Sequence, residues 1–152
     1  MPYKVIINST QVKFSASHFL KEPFKCSRLH GHNYYVTVEL SSELDENYFV
    51  VDFIELKKKV KSIIKPIDHC VLIPKLSQDL EIYEDKNSIE IITRTKKRYV
   101  FPKSDTIFLP LRATTSELLA KYIHGKVKEI YPNKHVKVIL EESKSTMACY
   151  ED

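Results

Sequence analysis

Residues 12–18, VKFSASH, alternate without a break: Val12, Phe14, Ala16 and His18 take one side of an extended chain, Lys13, Ser15 and Ser17 the other. Successive side chains of a strand point to opposite faces, so this pattern buries one face and wets the other. A chain that begins this way needs a sheet with one apolar side and something packed upon it. The inward series ends on a histidine, which places a titratable ring at the edge of the core. Two further runs extend the pattern. YYVTVEL, residues 34–40, is a second β-rich segment, followed by the polar turn SSELDEN at 41–47. VKVILEES, residues 136–143, sets Val136, Val138, Leu140 and Glu142 on a common face.

Between these runs the period changes. In VDFIELKKKVKSIIK, residues 51–65, Phe53, Leu56, Val60, Ile63 and Ile64 form one helical stripe, Asp52 caps with Glu55 three residues on, and Pro66 ends the helix. A second helix opens near Thr114 with Glu117 as its capping-box partner, and its stripe is Leu119, Ile123, Val127 and Ile130. DHCVLIP follows the first helix as a loop or short strand, and SIEIITRTKKRYVFP reads as a hairpin turning at Arg94–Lys97. The order ββα, hairpin, αβ predicts an α+β fold with a mainly antiparallel sheet and a single domain over 1–152, in which 75–108 is a hairpin insertion.

Composition narrows the setting. With 152 residues and 43% apolar side chains the chain can fill one core. No run reaches the roughly 18 apolar residues of a membrane helix. MPYKVIINST lacks the pattern of a secretory leader, so a cytoplasmic protein is expected. Three scattered cysteines, Cys26, Cys70 and Cys149, are a poor disulfide framework and suit a reducing compartment; Cys70 and Cys149 read as small buried hydrophobes. The net charge of +4 is spread through stretches such as KKKVK and TKKR, which fits a solvated surface rather than a nucleic-acid footprint.

The chemistry gathers around LHGHNYY. In a strand, His30 and His32 share a face and can share one ion, and Gly31 between them permits close approach by another backbone. His18 supplies a third nitrogen if the two strands pair. Neutral imidazoles suit Zn²⁺, and three protein ligands leave a fourth position open, as in catalytic sites. Two strand histidines are also common as plain surface residues. Cys26, four residues before His30, is either a thiolate base favoured by the ion's field or a fourth ligand that closes a structural site. Asp68-His69 pairs a carboxylate with an imidazole, which fits a proton relay as well as a simple turn. Glu142, inward beside Val138 and Leu140, reads as a buried ion-pair member or as an acceptor for a bidentate N–H edge. His124 and His135 read as surface residues.

FSASH, CSRLHGHNYYVTV, VVDFIELKKKV, IDHCVLI, ATTSELLAKYI and LEESKSTMACY, in this order, resemble the 6-pyruvoyl-tetrahydropterin synthase / 6-carboxytetrahydropterin synthase family along nearly the whole chain. The resemblance implies a tunnelling fold, two helices against an antiparallel sheet, closed into a barrel by oligomerisation, commonly a hexamer of two trimers with sites at subunit interfaces. It implies that His18, His30 and His32 bind Zn²⁺, that Cys26 is the catalytic base, and that Asp68 and His69 pass protons on the opposite face of the substrate. Glu142 is then the anchor of the pterin ring, with Thr114 and Thr115 assisting from a neighbouring subunit. The implied substrate is a small pterin triphosphate, 7,8-dihydroneopterin triphosphate, with neither nucleic acid nor membrane as partner.

Three residues separate Cys26 from the HGH. That spacing resembles members that make 6-carboxytetrahydropterin for deazapurine (queuosine or archaeosine) synthesis, whereas the animal pyruvoyl enzymes usually have five. The 6-pyruvoyl reaction, an aldolase-type cleavage and a non-catalytic zinc-stabilised assembly module stand as alternatives. Ile73-Pro74 and Leu118 occupy positions where the family usually has asparagine.

Overall fold

The computed structural model describes residues 2–8 and 10–152. The chain forms two compact units, one of residues 1–14, 33–66 and 116–152, the other of residues 15–32 and 67–115. Among the described residues no helix is long and apolar enough to cross a membrane.

The first unit contains β1 (Tyr3–Ile7), most of β3 (His30–Ser42), α1 (Phe53–Ile64), α2 (Ser116–Ile130), β9 (His135–Ser143) and β10 (Thr146–Glu151). β3 pairs antiparallel with β1, Val5 opposite Leu40, and with β9, Val38 opposite Val138; β10 pairs antiparallel with β9, Tyr150 opposite Val138. Alternation does what the sequence predicts. Val36, Val38, Leu40, Val136, Val138 and Leu140 are all fully buried. Each such burial contributes about 1.5–3 kcal/mol, which ties strand register to the apolar pattern.

Both helices fall close to their expected spans. The Asp52 carboxylate accepts the Glu55 N–H at 2.9 Å, and Leu56, Val60 and Ile64 are buried. Two expected stripe members differ: Phe53 is 64% exposed and Ile130 38% exposed, because each is the terminal residue of its helix and lies past the packed turns. In α2 the buried stripe also takes in Ala120 and His124. His124 is therefore no surface residue. Its Nε2 lies 3.2 Å from Asp152 Oδ1 and its ring meets Tyr150 edge-on at 4.8 Å. Cys149, expected to be buried, is exposed, since it falls on the outer side of β10.

The second unit holds the end of β2 (Lys13–His18), β4 (Cys70–Pro74), β5 (Leu80–Glu84), β6 (Ser88–Thr93), β7 (Arg98–Pro102) and β8 (Thr106–Leu109). β4 lies between β2 and β8 and is parallel to both, Ala16 opposite Cys70 and Leu72 opposite Ile107. The antiparallel expectation is therefore incomplete: DHCVLIP becomes an interior strand, reached by the long connections that parallel pairing requires. The expected hairpin forms β6 and β7 and gains β5, giving a separate antiparallel sheet in the order β5-β6-β7. Ile89 and Ile91 of that sheet pack with Phe19 and Ile73 in one buried cluster.

Candidate functional site

His18 ends β2 and is fully buried, carried inward by the same alternation that buries Ala16. His30 and His32 open β3 and are half-buried. Paired strand ends bring the three rings together, with centroids 4.6–5.3 Å apart and one ligating atom from each within 4.8 Å of the others. Gly31 eases the close approach of the strands: a Cβ there would lie 3.2 Å from the Ala16 carbonyl oxygen, tighter than nine in ten real contacts.

Backbone carbonyls fix the tautomers. His18 Nδ1 lies 2.8 Å from the Thr114 carbonyl oxygen, and His30 Nδ1 lies 2.6 Å from that of Arg28. A carbonyl only accepts, so each Nδ1 carries a proton and each neutral ring keeps its lone pair on Nε2. Those two Nε2 atoms are 3.1 Å apart. Converging lone pairs at that separation repel unless a cation or an extra proton lies between them. Two imidazole nitrogens about 2.0–2.1 Å from a tetrahedral ion lie roughly 3.3 Å apart, so the donor set fits a metal such as zinc. The orienting carbonyls of Thr114 and Arg28 escaped the sequence, because every residue has a carbonyl and nothing in a side chain announces its direction.

Asp68 and His69 are brought together as expected. Asp68 Oδ2 lies 2.9 Å from His69 Nδ1, while Oδ1 accepts the Ser15 N–H at 2.9 Å. Burial pushes the Asp68 carboxyl up, but the Ser15 N–H and the His69 imidazole outweigh it and hold it below the ordinary carboxylate value. His69 itself sits at φ 61°, in the left-handed region, and its N–H donates to the Ser15 carbonyl at 2.6 Å. A strained φ on a β-strand approach persists where neighbours fix it, here through Ser15 on β2. The ring stays largely exposed.

Cys26 sits in a 3-10 turn, Lys25–Ser27, as an exposed free thiol. Among the described residues the metal-competent group consists of the three histidines and does not include it. Thr114 is fully buried, and its Oγ1 has no hydrogen-bond partner among the described residues. Thr115 beside it is half-buried.

Glu142 belongs to the first unit and is half-buried near the end of β9. The Ser116 hydroxyl, at the first residue of α2, donates to its Oε2 in a short hydrogen bond. Burial, aided by the Glu142 charge, raises the phenol of fully buried Tyr34 well above its ordinary value. Glu142 thus keeps its carboxylate at the margin of the core, held by a hydroxyl that the sequence did not single out.

Fold and cluster define an α+β protein with a three-histidine, metal-competent centre and a carboxylate–imidazole pair in the turn that leads into β4. Residues 7–152 match the family model described as 6-pyruvoyl tetrahydropterin synthase, and the chain belongs to that family. A Methanocaldococcus jannaschii relative is 32% identical over 146 residues, covering 91% of this chain and 89% of its own. The 6-carboxy-5,6,7,8-tetrahydropterin synthase of Haemophilus influenzae is 32% identical over 126 residues, 79% of this chain and 80% of its own. The solved structure of Plasmodium falciparum 6-pyruvoyl tetrahydropterin synthase superposes with a TM-score of 0.91 at 28% identity, covering 99% of this chain and 97% of that one.

Proposed function

We propose that this protein is a zinc-dependent lyase that converts 7,8-dihydroneopterin triphosphate and water to 6-carboxytetrahydropterin, acetaldehyde and triphosphate. The observation that carries the reading is the pair of Nε2 lone pairs of His18 and His30, 3.1 Å apart with both Nδ1 protons committed to carbonyls. Such a pair calls for a cation or a shared proton, the third histidine favours the cation, and family membership supplies the substrate class. His18, His30 and His32 would hold Zn²⁺, which as a Lewis acid lowers the pKa of the substrate's side-chain hydroxyls.

The rest is the work of side chains. Cys26, exposed and beside the start of β3, takes a proton from the substrate side chain as its thiolate. His69 returns or removes a proton on the other side, its Nδ1–H held by Asp68 so that Nε2 is the working atom. Glu142 accepts the N–H edge of the pterin in the manner of a bidentate carboxylate, and Thr114 and Thr115 assist its placement. The short spacing of Cys26 from His30 and the names of curated relatives favour the 6-carboxy product and a place in deazapurine synthesis. A homo-oligomer, a hexamer of two trimers in the cytoplasm, completes the reading.

The experiment is incubation of the zinc-loaded protein with 7,8-dihydroneopterin triphosphate and identification of products by mass spectrometry. Acetaldehyde with 6-carboxytetrahydropterin is expected; a mixture without acetaldehyde overturns the reading. Formation of 6-pyruvoyltetrahydropterin instead favours a second reading, supported by the likeness to the Plasmodium falciparum structure.

A further inference from the structure

The loop from Phe19 to Leu29 joins β2 to β3 and carries Cys26, yet little of its own packing fixes it. Phe24, Lys25, Cys26, Arg28 and Leu29 are exposed. Among the described residues its internal backbone hydrogen bonds are three: Leu20 N–H to the Cys26 carbonyl at 2.8 Å, Ser27 N–H to that of Phe24 at 2.9 Å, and Arg28 N–H to that of Lys25 at 3.2 Å. A cavity of about 210 Å³ opens beside it, walled in part by Glu22, Ser27, Thr93 and Arg94. Phe19 anchors one end in the apolar cluster and Ser27 is buried, but residues 21–26 between them stay exposed or half-buried.

What reaches across that space is the turn between β6 and β7. The Glu22 carboxylate accepts three hydrogen bonds from it: Thr93 Oγ1 at 2.9 Å, Thr95 Oγ1 at 2.6 Å and the Thr95 N–H at 3.0 Å. Lys97 Nζ donates to the carbonyl of Ser27, the residue after Cys26, at 3.1 Å. Phe19, at the other end of the loop, stacks on Tyr99 at 4.8 Å. The turn has its own support: Thr93 N–H donates to the Lys97 carbonyl and Lys96 N–H to the Thr93 carbonyl, both at 2.9 Å. Hydrogen bonds from Thr95, then Thr93, hold the Glu22 carboxyl below its ordinary value despite partial burial, so it accepts as an anion.

We propose that the three-stranded sheet β5-β6-β7 is a brace for the Cys26 turn, and that Glu22 and Lys97 are positioning residues for its thiol. The proposal rests on the reading of Cys26 as the catalytic base. Glu22 and Lys97 act by holding one loop to a separate sheet at two points, before and just after Cys26. A displacement of the order of 1 Å at a reacting group can cost about a hundredfold in rate, so a polar brace across a cavity is enough to matter.

The test compares the zinc-loaded wild type with Glu22→Gln, Lys97→Met and Lys97→Arg. Amide hydrogen exchange of the 20–28 peptide is expected to accelerate about tenfold in Glu22→Gln and Lys97→Met, and to return toward wild type in Lys97→Arg. kcat for 7,8-dihydroneopterin triphosphate should fall about tenfold in the same two variants, with KM and zinc content unchanged. Alkylation of Cys26, referenced to exposed Cys149 in the same molecule, should quicken at least about threefold. Unchanged exchange in the loop, or faster exchange with kcat intact, overturns the brace. A wild type that does not turn over the substrate overturns the pterin reading instead. The alkylation ratio then decides the brace alone: an increase upholds it, and an unchanged ratio overturns it.

Discussion

His18 Nε2 and His30 Nε2 lie 3.1 Å apart, and each ring donates its Nδ1–H to a backbone carbonyl. The arrangement is stable only with positive charge between the rings. Removing metal with a chelator should lower the melting temperature, and Zn²⁺ should restore it. A ligand that binds only the folded state at a thousand times its Kd adds about 4.1 kcal/mol, which for a chain of this size is several degrees or more. Calorimetry with metal analysis checks this. A melting temperature indifferent to chelator and to added zinc would refute a resident metal.

Cys26 is expected to be separable from metal binding, because among the described residues the metal-competent group is the three histidines and does not include it. Cys26→Ala should retain full zinc content and a wild-type melting temperature, since the thiol is exposed. Turnover should fall by about 10²–10⁴, the usual share of a positioned base. Loss of zinc in this variant would instead identify Cys26 as a fourth ligand and the site as structural.

How much of this was legible beforehand follows from what each signal depends on. Strand alternation and helical stripes are set by local sequence, so β2, β3, β9 and both helices were readable, and with them the face on which His18 stands. β5 and β10 were not, because each takes its meaning from a neighbouring strand; β10 is largely exposed and presents no clean apolar face. His124 looked like a surface residue among lysines, but its burial is set by Asp152 and Tyr150 from β10 and its end. The histidine triad was legible as a set of residue types. The carbonyls of Thr114 and Arg28, which decide what the triad can bind, were invisible, since they depend on backbone direction alone.

Asp68 carries a pH signature whose sign is fixed by its neighbours. Its folded carboxyl titrates below the ordinary value of 3.8, so the ionised form stabilises the fold. That contribution is fully present above the ordinary carboxylate pKa and is lost as pH falls through the lowered folded value. The wild type should therefore lose stability below about pH 4 more steeply than Asp68→Asn. With 40% of its side chain exposed, screening keeps the difference under about 1 kcal/mol. Acid unfolding followed by circular dichroism checks the slope; parallel curves for the two proteins would refute it. Asp68→Asn should also slow turnover, because an amide no longer selects the His69 tautomer.

The two glycines of the chain should respond to alanine with opposite signs. At Gly125, inside α2, an added Cβ meets nothing within 4 Å, so Gly125→Ala should stabilise by about 0.5–1 kcal/mol through helix propensity. At Gly31 the same methyl meets the Ala16 carbonyl oxygen at 3.2 Å, and the obstacle is backbone on the adjoining strand rather than a side chain that can swing away. Either β2 and β3 part by a few tenths of an ångström or the glycine's own strand tilts. Both movements displace His18 from His30 and His32, since all three flank the contact. Gly31→Ala should therefore lose about 1–3 kcal/mol, the ordinary cost of overpacking, and bind zinc more weakly by competition titration. Two melting curves and one metal titration decide the matter. Equal shifts for the two variants, or an unaltered zinc affinity at Gly31→Ala, would show that the glycine between the histidines does not set the spacing of the site.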